Sequence, residues 1–228
     1  QATVVSTEHI GAENKKKLDL KKLCQEMGIP IVIGNCVTYE VALQLMRAGA
    51  AGIMVGIGPG AACTSRGVLG VGIPQATAVS DCAAARDEFE KESGKYIPVI
   101  ADGGIITGGD ICKCIACGGD AVMIGSPIAR ANEAPGRGFH WGMATPSPVL
   151  PRGTRIKVGS TGSIERILKG PALLDDGTHN LLGALKTSMG TLGARTIKEM
   201  QQVEVIVAPS LLTEGKVYQK AQQLGMGK

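Results

Sequence analysis

The chain has 228 residues, with 24 basic and 20 acidic side chains and a formal net charge of +4. We expect residues 1–228 to form a single domain, because this length supports one large core. The small net charge, without basic runs beyond the three lysines at 15–17, argues against binding to duplex nucleic acid. With one Trp, three Tyr and two Phe, the core must come from aliphatic residues. That composition favours an α/β fold with parallel strands.

The sequence predicts a cytoplasmic protein without a membrane span. No run of about eighteen apolar residues is present, and no charged-then-apolar secretory leader precedes the first predicted elements. The first residue is Gln1 rather than Met, which indicates a piece of a longer protein. The seven cysteines are an odd number and are not spaced as a disulfide ladder, which favours a reducing compartment.

Four short apolar runs, each ending in Gly, predict β-strands that are covered on both faces. They lie at residues 31–34, 52–56, 98–103 and 121–125. Helical patterns follow three of them, at residues 39–48, 76–91 and 109–117. This alternation indicates an array of βα units. Four units correspond either to an open doubly wound sheet or to half of a (β/α)8 barrel, which needs eight.

The pattern changes after the fourth strand. Residues 131–169 are rich in Pro, Gly, Ser and Thr, and a loop of that length is typical of an active-site lid or flap. Helical patterns return at 179–189 and 194–201, and residues 203–207 (VEVIV) predict a last strand. The lid therefore interrupts the βα array rather than ending it.

A Gly-rich loop after the second strand, residues 56–67, contains Cys63 followed by Thr64, Ser65 and Arg66. Glycines permit positive φ and a close approach of the backbone to a ligand or ion. Hydroxyls and a cation beside a thiol favour the thiolate, which is the nucleophilic form. A buried structural cysteine is the alternative for Cys63 on sequence alone.

Two further strand ends are typical of anion sites. Asp102 precedes Gly103 and Gly104, and Gly125 and Ser126 open a predicted helix. The last two strands of a (β/α)8 barrel supply a phosphate site through backbone N–H groups, and a carboxylate beside it can accept bonds from ribose hydroxyls. Ordinary turn chemistry explains each motif equally well when it is taken alone.

Three cysteines lie close together at Cys112, Cys114 and Cys117. They fall on a predicted helix, without a second cluster or a nearby histidine, so structural thiols are favoured over a zinc site. The three histidines are too scattered for a metal triad.

Three motifs together resemble the IMP dehydrogenase/GMP reductase family. They are GIGPGAACTSRGVLGVGIPQATAV at 56–79, IADGGI at 100–105 and MIGSPIA at 123–129. The resemblance covers about residues 29–207 and keeps the family's motif order. It implies a (β/α)8 barrel, of which this chain holds strands five to eight, and a homotetramer or octamer.

The resemblance also implies the chemistry. In this family a cysteine thiolate adds to C2 of a bound purine nucleotide. Dehydrogenases then transfer hydride to NAD and hydrolyse the adduct, converting IMP to XMP, whereas reductases release ammonia from GMP and accept hydride from NADPH to give IMP. By this match Cys63 is the nucleophile, and the carbonyls of Gly58, Gly60 and Cys63 form a loop for a monovalent cation such as potassium.

Substrate contacts follow from the same match. Asp102 corresponds to the ribose-binding carboxylate and Asn35 to an Asn near the site. The remaining matches are the phosphate positions Gly104, Gly125 and Ser126, and the base-contacting backbone of Gly142 and Met143.

Several positions depart from the family pattern. Dehydrogenases carry an Arg-Tyr pair in the flap, where the Arg activates water, and residues 144–168 contain no such pair. Reductases use a Thr two residues after the Cys with a flap Glu, for which this chain offers Ser65, beside Thr64, and Glu165. A phosphate-binding Ser is replaced by Ala61 and a Tyr by His140, which can still donate to phosphate.

These departures favour a GMP reductase-like enzyme that uses NADPH. An IMP dehydrogenase that uses NAD is the first alternative. A non-catalytic protein that binds GMP, IMP or XMP and an unrelated flavin-binding barrel are the others.

Overall fold

The computed structural model describes residues 3–6, 19–142 and 155–208. Its organising element is a five-stranded parallel sheet with the strands in sequence order. The strands are β1 (Thr3–Ser6), β2 (Ile31–Cys36), β3 (Gly52–Val55), β4 (Val99–Asp102) and β5 (Ala121–Met123). The predicted α/β class with parallel strands is confirmed.

Helices follow the strands as the sequence patterns predict. In the described residues they are α1 (Leu20–Glu26), α2 (Tyr39–Arg47), α3 (Gln75–Ser93), α4 (Gly108–Ala116), α5 (Ser126–Ala129), α6 (Ile164–Lys169), α7 (Leu181–Thr191) and α8 (Ile197–Met200). A short π-helix, Ser65–Leu69, lies between β3 and α3. Among these helices none combines the length and apolarity that crossing a bilayer requires.

The sheet corrects two predictions about strands. It contains one strand more than predicted, because β1 pairs in parallel with β2 from Thr3 opposite Ile31 to Ser6 opposite Gly34. Counted back from the predicted strands five to eight, β1 occupies the fourth position. The predicted strand at 203–207 is wrong: that segment pairs with no described strand, and Val207 is 90% exposed.

The predicted lid at residues 131–169 is only partly described. It contains a two-stranded antiparallel sheet of β6 (Phe139–Trp141) and β7 (Arg155–Lys157), with His140 opposite Ile156. Helix α6 follows β7. Residues 143–154 lie outside the described residues, so the role of this segment as a lid stays a prediction.

The core lies between the parallel sheet and its helices. Ile33, Ile53, Val55 and Val99 on the central strands are fully buried. Burying such a side chain contributes about 1.5–3 kcal/mol. All four residues of β3 are buried, which explains why its sequence is a continuous apolar run. This packing fixes the strand ends, from which the loops of the candidate site begin.

Helices α4 and α7 are in close contact at Gly108. A Cβ on Gly108 would lie 2.2 Å from Ala184 Cβ, whereas one on the adjacent Gly109 would meet only Thr107 Oγ1 at 3.7 Å. We expect Gly108→Ala to lower the free energy of unfolding by about 1–3 kcal/mol, because the helices must move apart. Gly109→Ala is the matched control and should be nearly neutral. Urea denaturation of the full-length protein measures both, and equal stabilities would contradict this packing.

Candidate active site

Polar side chains link the carboxyl ends of β2, β3 and β4. Asn35 Nδ2 donates to the carbonyl of Gly56, just after β3, at 2.8 Å, and to Asp102 Oδ2, at the end of β4, at 2.7 Å. Three strand ends are therefore joined by one amide group. The structure brings together two residues that the sequence singles out separately.

The Asp102 carboxyl group is poised to accept hydrogen bonds. Burial raises its pKa, and the bond from Asn35 offsets only part of that rise. A carboxylate with one Asn donor keeps lone pairs for further donors such as ligand hydroxyls. This geometry is compatible with the ribose role predicted for Asp102.

Gln75, the first residue of α3, supports the same strand ends. Its Nε2 donates to the carbonyl of Val55 at 2.7 Å and to that of Asp102 at 3.3 Å. Its Oε1 is buried and has no hydrogen-bond partner within the described part of the chain. Gln75 therefore holds the ends of β3 and β4 together, a role that the sequence analysis does not assign. The sequence signal was its position at the end of the Gly-rich motif, directly after Pro74.

Cys63 lies exposed on the loop between β3 and the π-helix. The Cys63 amide donates to the carbonyl of Gly60 at 3.0 Å, which forms a tight turn under the thiol. The thiol lies 3.4 Å from Ser65 Oγ, and Ser65 is buried. The thiol donates to the Ser65 hydroxyl oxygen in this contact. The sulfur is therefore accessible and backed by a hydroxyl, which excludes the alternative of a buried structural cysteine.

Arg66 ties together the two ends of the Cys63 loop. Its Nε donates to the carbonyl of Ile57 at 3.3 Å and its Nη2 to that of Ile73 at 2.6 Å. The Arg66 stem passes between two glycines, because a Cβ on Gly58 or Gly72 would lie 2.5 or 2.7 Å from Arg66 Cγ. The side chain thus closes residues 57–73 into a loop of fixed shape.

Removing the Arg66 guanidinium should loosen this loop. Because two bonds to a charged group are lost from an exposed side chain, we expect Arg66→Met to raise the rate of thermolysin cleavage within residues 57–73 about tenfold. Arg66→Lys keeps the positive charge on one ammonium group, so its cleavage rate should lie between those of the wild type and Arg66→Met. The control is Arg47→Met, which removes an exposed arginine that forms a salt bridge with Glu92. Equal cleavage of all four proteins would show that Arg66 does not hold the loop.

The glycine turn after β4 lies directly against the Cys63 loop. Gly103 and Gly104 have φ values of +87° and +75°, and a Cβ on either would lie 3.0 Å from Pro59. Side chains at these positions would push the Cys63 loop away from Asp102. This close approach places Gly104, a predicted phosphate position, beside the loop that carries the thiol.

Ser126 and His140 meet at the carboxyl end of β5. Ser126 Oγ lies 3.0 Å from His140 Nδ1. A Cβ on Gly125 would lie 3.1 Å from His140 Cε1, so the glycine makes room for the imidazole ring. Ser126 and His140, which are both predicted to contact phosphate, are therefore neighbours. Their contact joins β6 to the start of α5.

This geometry can be compared with known proteins. Residues 2–145 match the family described as IMP dehydrogenase / GMP reductase domain. The chain belongs to this family. The match covers all five strands of the parallel sheet and the Cys63 loop.

Individual relatives agree with this assignment. The chain is 44% identical over 212 residues to an uncharacterized oxidoreductase of Mycobacterium leprae, covering 91% of this chain and 56% of the relative. It is 39% identical over 214 residues to inosine-5'-monophosphate dehydrogenase of Thermoplasma acidophilum, covering 87% of this chain and 42% of the relative. The chain therefore spans about half the length of the curated relatives that it matches.

A solved structure supports the fold. The crystal structure of an IMP dehydrogenase/GMP reductase-like protein from Corynebacterium glutamicum superposes with a TM-score of 0.79 at 35% sequence identity, covering 91% of this chain and 61% of that one. The predicted (β/α)8 barrel fold is confirmed by this match, and the described residues supply five of its strands.

The roles of several predicted site residues stay predictions. Glu165 is exposed in the first turn of α6, and among the described residues no hydrogen bond or ion pair joins it to the Cys63 loop. Thr64 Oγ1 is buried without a partner in the same part of the chain. Gly142 is the last described residue before the gap, and Met143 lies outside the described residues. Ala61 is exposed at the edge of the Cys63 loop.

The carbonyl groups predicted to hold a monovalent cation belong to this loop. The Gly60 carbonyl accepts the Cys63 amide, which leaves it one free lone pair, and Arg66 already brings a positive charge beside Gly58. Carbonyl oxygens are suitable ligands for a hard cation. A potassium site stays a prediction.

Three cysteines lie in α4 or directly after it. Cys112 and Cys114 are buried, Cys117 is half-buried, and burial raises the pKa of Cys114 to about 11. The described residues contain no group of three or more His, Cys, Asp or Glu that could hold a metal ion.

Proposed function

We propose that the full-length protein is a purine mononucleotide oxidoreductase that forms a covalent bond between Cys63 and C2 of the base. We propose further that it works in the reductive direction, converting GMP to IMP and ammonia with NADPH. Family membership supports the substrate class. The observation that carries the proposal is the exposed Cys63 thiol, held next to the turn that follows Asp102 and backed by the Ser65 hydroxyl at 3.4 Å.

Different residues bind the nucleotide and carry out the covalent step. Asp102, oriented by Asn35, accepts the ribose hydroxyls, and the glycine turn and Ser126 receive the phosphate. These contacts position the base over the thiol, and such positioning supplies a large part of the barrier reduction in bimolecular reactions. None of these contacts needs the sulfur atom.

Cys63 performs the covalent step. Its thiolate bonds to C2 of GMP, the amino group leaves with a proton as ammonia, and the sulfur leaves again once C2 has accepted a hydride. NADPH, when bound, supplies that hydride. Overall, GMP, NADPH and two protons are converted to IMP, NADP⁺ and an ammonium ion. The described residues act on the nucleotide, and none of them is assigned to NADPH.

The direction rests on the groups beside the thiol. Releasing ammonia needs a proton donor at the amino group, and the hydroxyls of Ser65 and Thr64 lie within two residues of Cys63. Hydrolysis of the adduct needs a base for water, and the flap sequence lacks the Arg-Tyr pair that provides it in dehydrogenases. Glu165 is proposed as the flap carboxylate that works with these hydroxyls.

A spectroscopic assay separates the candidates. Full-length protein is mixed with GMP and NADPH, with IMP and NAD, and with XMP and NADPH, and the nicotinamide absorbance is followed. Oxidation of NADPH only with GMP, with release of ammonia, supports the proposal. Oxidation of NADPH with XMP but not with GMP would also fit a covalent mechanism in the reductive direction. Water rather than ammonia would then be the leaving group.

IMP dehydrogenase is the second candidate, because a relative named as that enzyme is 39% identical over 214 residues. Turnover only with IMP and NAD would establish it and refute the reductive direction. Turnover in no arm, with nucleotide still bound, would favour a binding protein without catalysis. A homotetrameric or octameric assembly and a cytoplasmic location stay predictions.

A further inference from the structure

The side chain of Gln75 connects two strands that lead into the candidate site. Gln75 is the first residue of α3 and follows the Cys63 loop in the chain. Its Nε2 reaches back 20 residues to the carbonyl of Val55, at 2.7 Å, and also donates to that of Asp102 at 3.3 Å. Val55 ends the strand before the Cys63 loop, and Asp102 ends the neighbouring strand. One amide group therefore contacts both strand ends.

Gly56 provides the space that this amide group occupies. A Cβ on Gly56 would lie 2.8 Å from Gln75 Oε1, 2.9 Å from Gln75 Nε2 and 2.3 Å from the carbonyl oxygen of Asp102. A real Cβ does not approach other heavy atoms so closely, so any side chain here would displace the amide or the strand end. The glycine at the start of the Cys63 loop and the glutamine after its end therefore fit together as a pair.

The amide group of Gln75 projects from a rigid support. Helix α3 has 19 residues, and its inner residues Ala78 and Val79 are fully buried in the core. Arg66 fixes the segment just before the helix, because its Nη2 donates to the carbonyl of Ile73 at 2.6 Å. The backbone of Gln75 is therefore held independently of the two strand ends that its side chain contacts.

Asn35 makes a second connection between the same strand ends. Its Nδ2 donates to the carbonyl of Gly56 at 2.8 Å and to Asp102 Oδ2 at 2.7 Å. Asn35 thus orients the Asp102 carboxylate, whereas Gln75 donates to backbone carbonyl groups and approaches that of Val55 most closely. Loss of the Gln75 amide would leave the carboxylate oriented and the strand ends joined, but would let the start of the Cys63 loop shift.

We propose that Gln75 is a positioning residue that sets the distance between the Cys63 thiol and a nucleotide held at Asp102. This inference rests on the proposed function. The Cys63 loop packs against the turn after Asp102, where a Cβ on Gly103 would lie 3.0 Å from Pro59, so a shift of the loop changes its distance from that turn. Covalent bond formation is sensitive to such shifts, and a misplacement of about 1 Å can cost about a hundredfold in rate.

The test compares turnover by the full-length Gln75→Met and Gln201→Met variants. Methionine keeps the length of the glutamine side chain and removes its amide donor. Gln201 is the matched control because its Nε2 also donates to two backbone carbonyl groups, those of Gly119 at 2.8 Å and Gly118 at 3.4 Å, at the opposite end of the sheet.

Turnover is measured with whichever nucleotide and nicotinamide pair the wild-type protein converts. We expect Gln75→Met to lower kcat about ten- to hundredfold and to change the KM for the nucleotide by less than about twofold. Gln201→Met should leave both constants unchanged. Gln75→Asn, whose amide is one methylene short of the Val55 carbonyl, replaces Gln75→Met if that variant does not fold.

Two kinetic results would overturn the positioning role. A higher KM with an unchanged kcat would show that Gln75 supports binding alone. Equal kcat values in Gln75→Met and Gln201→Met, whether lowered or not, would show that its place beside the Cys63 loop has no special effect on the reaction.

Hydrogen exchange separates this inference from the proposed function, because it needs no substrate. In the nucleotide-free protein, Gln75→Met should raise the amide exchange rates in residues 56–60 and 103–105 about tenfold, whereas Gln201→Met should not. Unchanged exchange in both segments of Gln75→Met would refute the inference. Raised exchange in a protein whose wild type converts none of the substrate pairs would keep the coupling of the two segments and refute the proposed function alone.

Discussion

Replacing Cys63 by alanine should abolish turnover of the full-length protein while leaving nucleotide affinity nearly unchanged. The sulfur is the only atom proposed to bond to the base, and removing a covalent nucleophile typically costs a factor of at least about 10⁴ in rate. The proposed ribose and phosphate contacts come from Asp102, Gly104 and Ser126, which the substitution does not change. Nicotinamide absorbance measures the rate, and calorimetry with GMP measures the affinity.

The other cysteines provide the control. All seven lie in the described residues, and Cys63 alone among them is exposed. Cys24→Ala removes a half-buried thiol of α1 and should leave turnover intact. Iodoacetamide should inactivate the wild-type protein in step with alkylation of Cys63, and bound GMP should protect it. Retained turnover in Cys63→Ala would exclude the covalent route and with it the proposed mechanism.

Local sequence patterns predict most of the sheet because apolar runs report buried strands. The predicted coverage on both faces is wrong for β5, the last strand of the described sheet, where Met123 is 43% exposed. The runs that form β2 to β5 are continuous and apolar, and each is found where it is predicted. Thr3–Ser6 escapes prediction because two valines between polar residues carry no such signal, and its strand state depends on pairing with β2. The segment at 203–207 has the apolar pattern of a strand but does not form one. Its alternating apolar residues have no neighbouring strand in the described structure.

In the candidate site, too, local patterns identify some residues, whereas others are identified only by the packed structure. The sequence singles out Cys63 and Asp102 because Asp102 ends β4 and Cys63 lies on the loop after β3, and the carboxyl ends of parallel strands share one edge. The bond from Asn35 to Asp102 joins residues 67 positions apart, and His179 reaches Thr161 across 18. Such contacts depend on how the elements pack, and no local pattern reports that. Sequence therefore predicts the reactive groups, whereas the structure supplies the groups that hold them.

An ionic network lies at the opposite end of the sheet, where β4 and β5 begin, and its centre is Asp120. The half-buried Asp120 carboxylate accepts from Arg86 Nη1 at 2.9 Å and from the amide of Val99 at 2.9 Å. It also contacts the Tyr96 hydroxyl and Gln201 Nε2. The network connects α3, β4, β5 and the residue after α8. Polar contacts at the amino-terminal face of a barrel serve stability rather than catalysis.

Asp120→Ala should lower the free energy of unfolding by about 3–5 kcal/mol, because the buried Arg86 guanidinium loses the less exposed of its two carboxylate partners and the Val99 amide loses its acceptor. Asp87→Ala is the matched control. Asp87 also pairs with Arg86, at 2.9 Å, but its side chain is 57% exposed, so its loss should cost at most about 1 kcal/mol. Chemical denaturation of the two variants and the wild type measures the difference. Equal losses would show that the network does not depend on Asp120.

The pH dependence of stability provides an independent test of the same network. Burial by itself would raise the pKa of Asp120, but the bonds from Tyr96, Val99 and Gln201 and the Arg86 charge outweigh it, so the pKa is lowered. A group with a lowered folded-state pKa contributes its full stability above the unfolded value of about 3.9 and loses it as pH falls through the folded-state value. We therefore expect the stability difference between wild type and Asp120→Asn to be constant from neutral pH down to about pH 5. Below about pH 4 it should shrink, and a difference that persists unchanged to about pH 2 would contradict a charged Asp120 in the folded state.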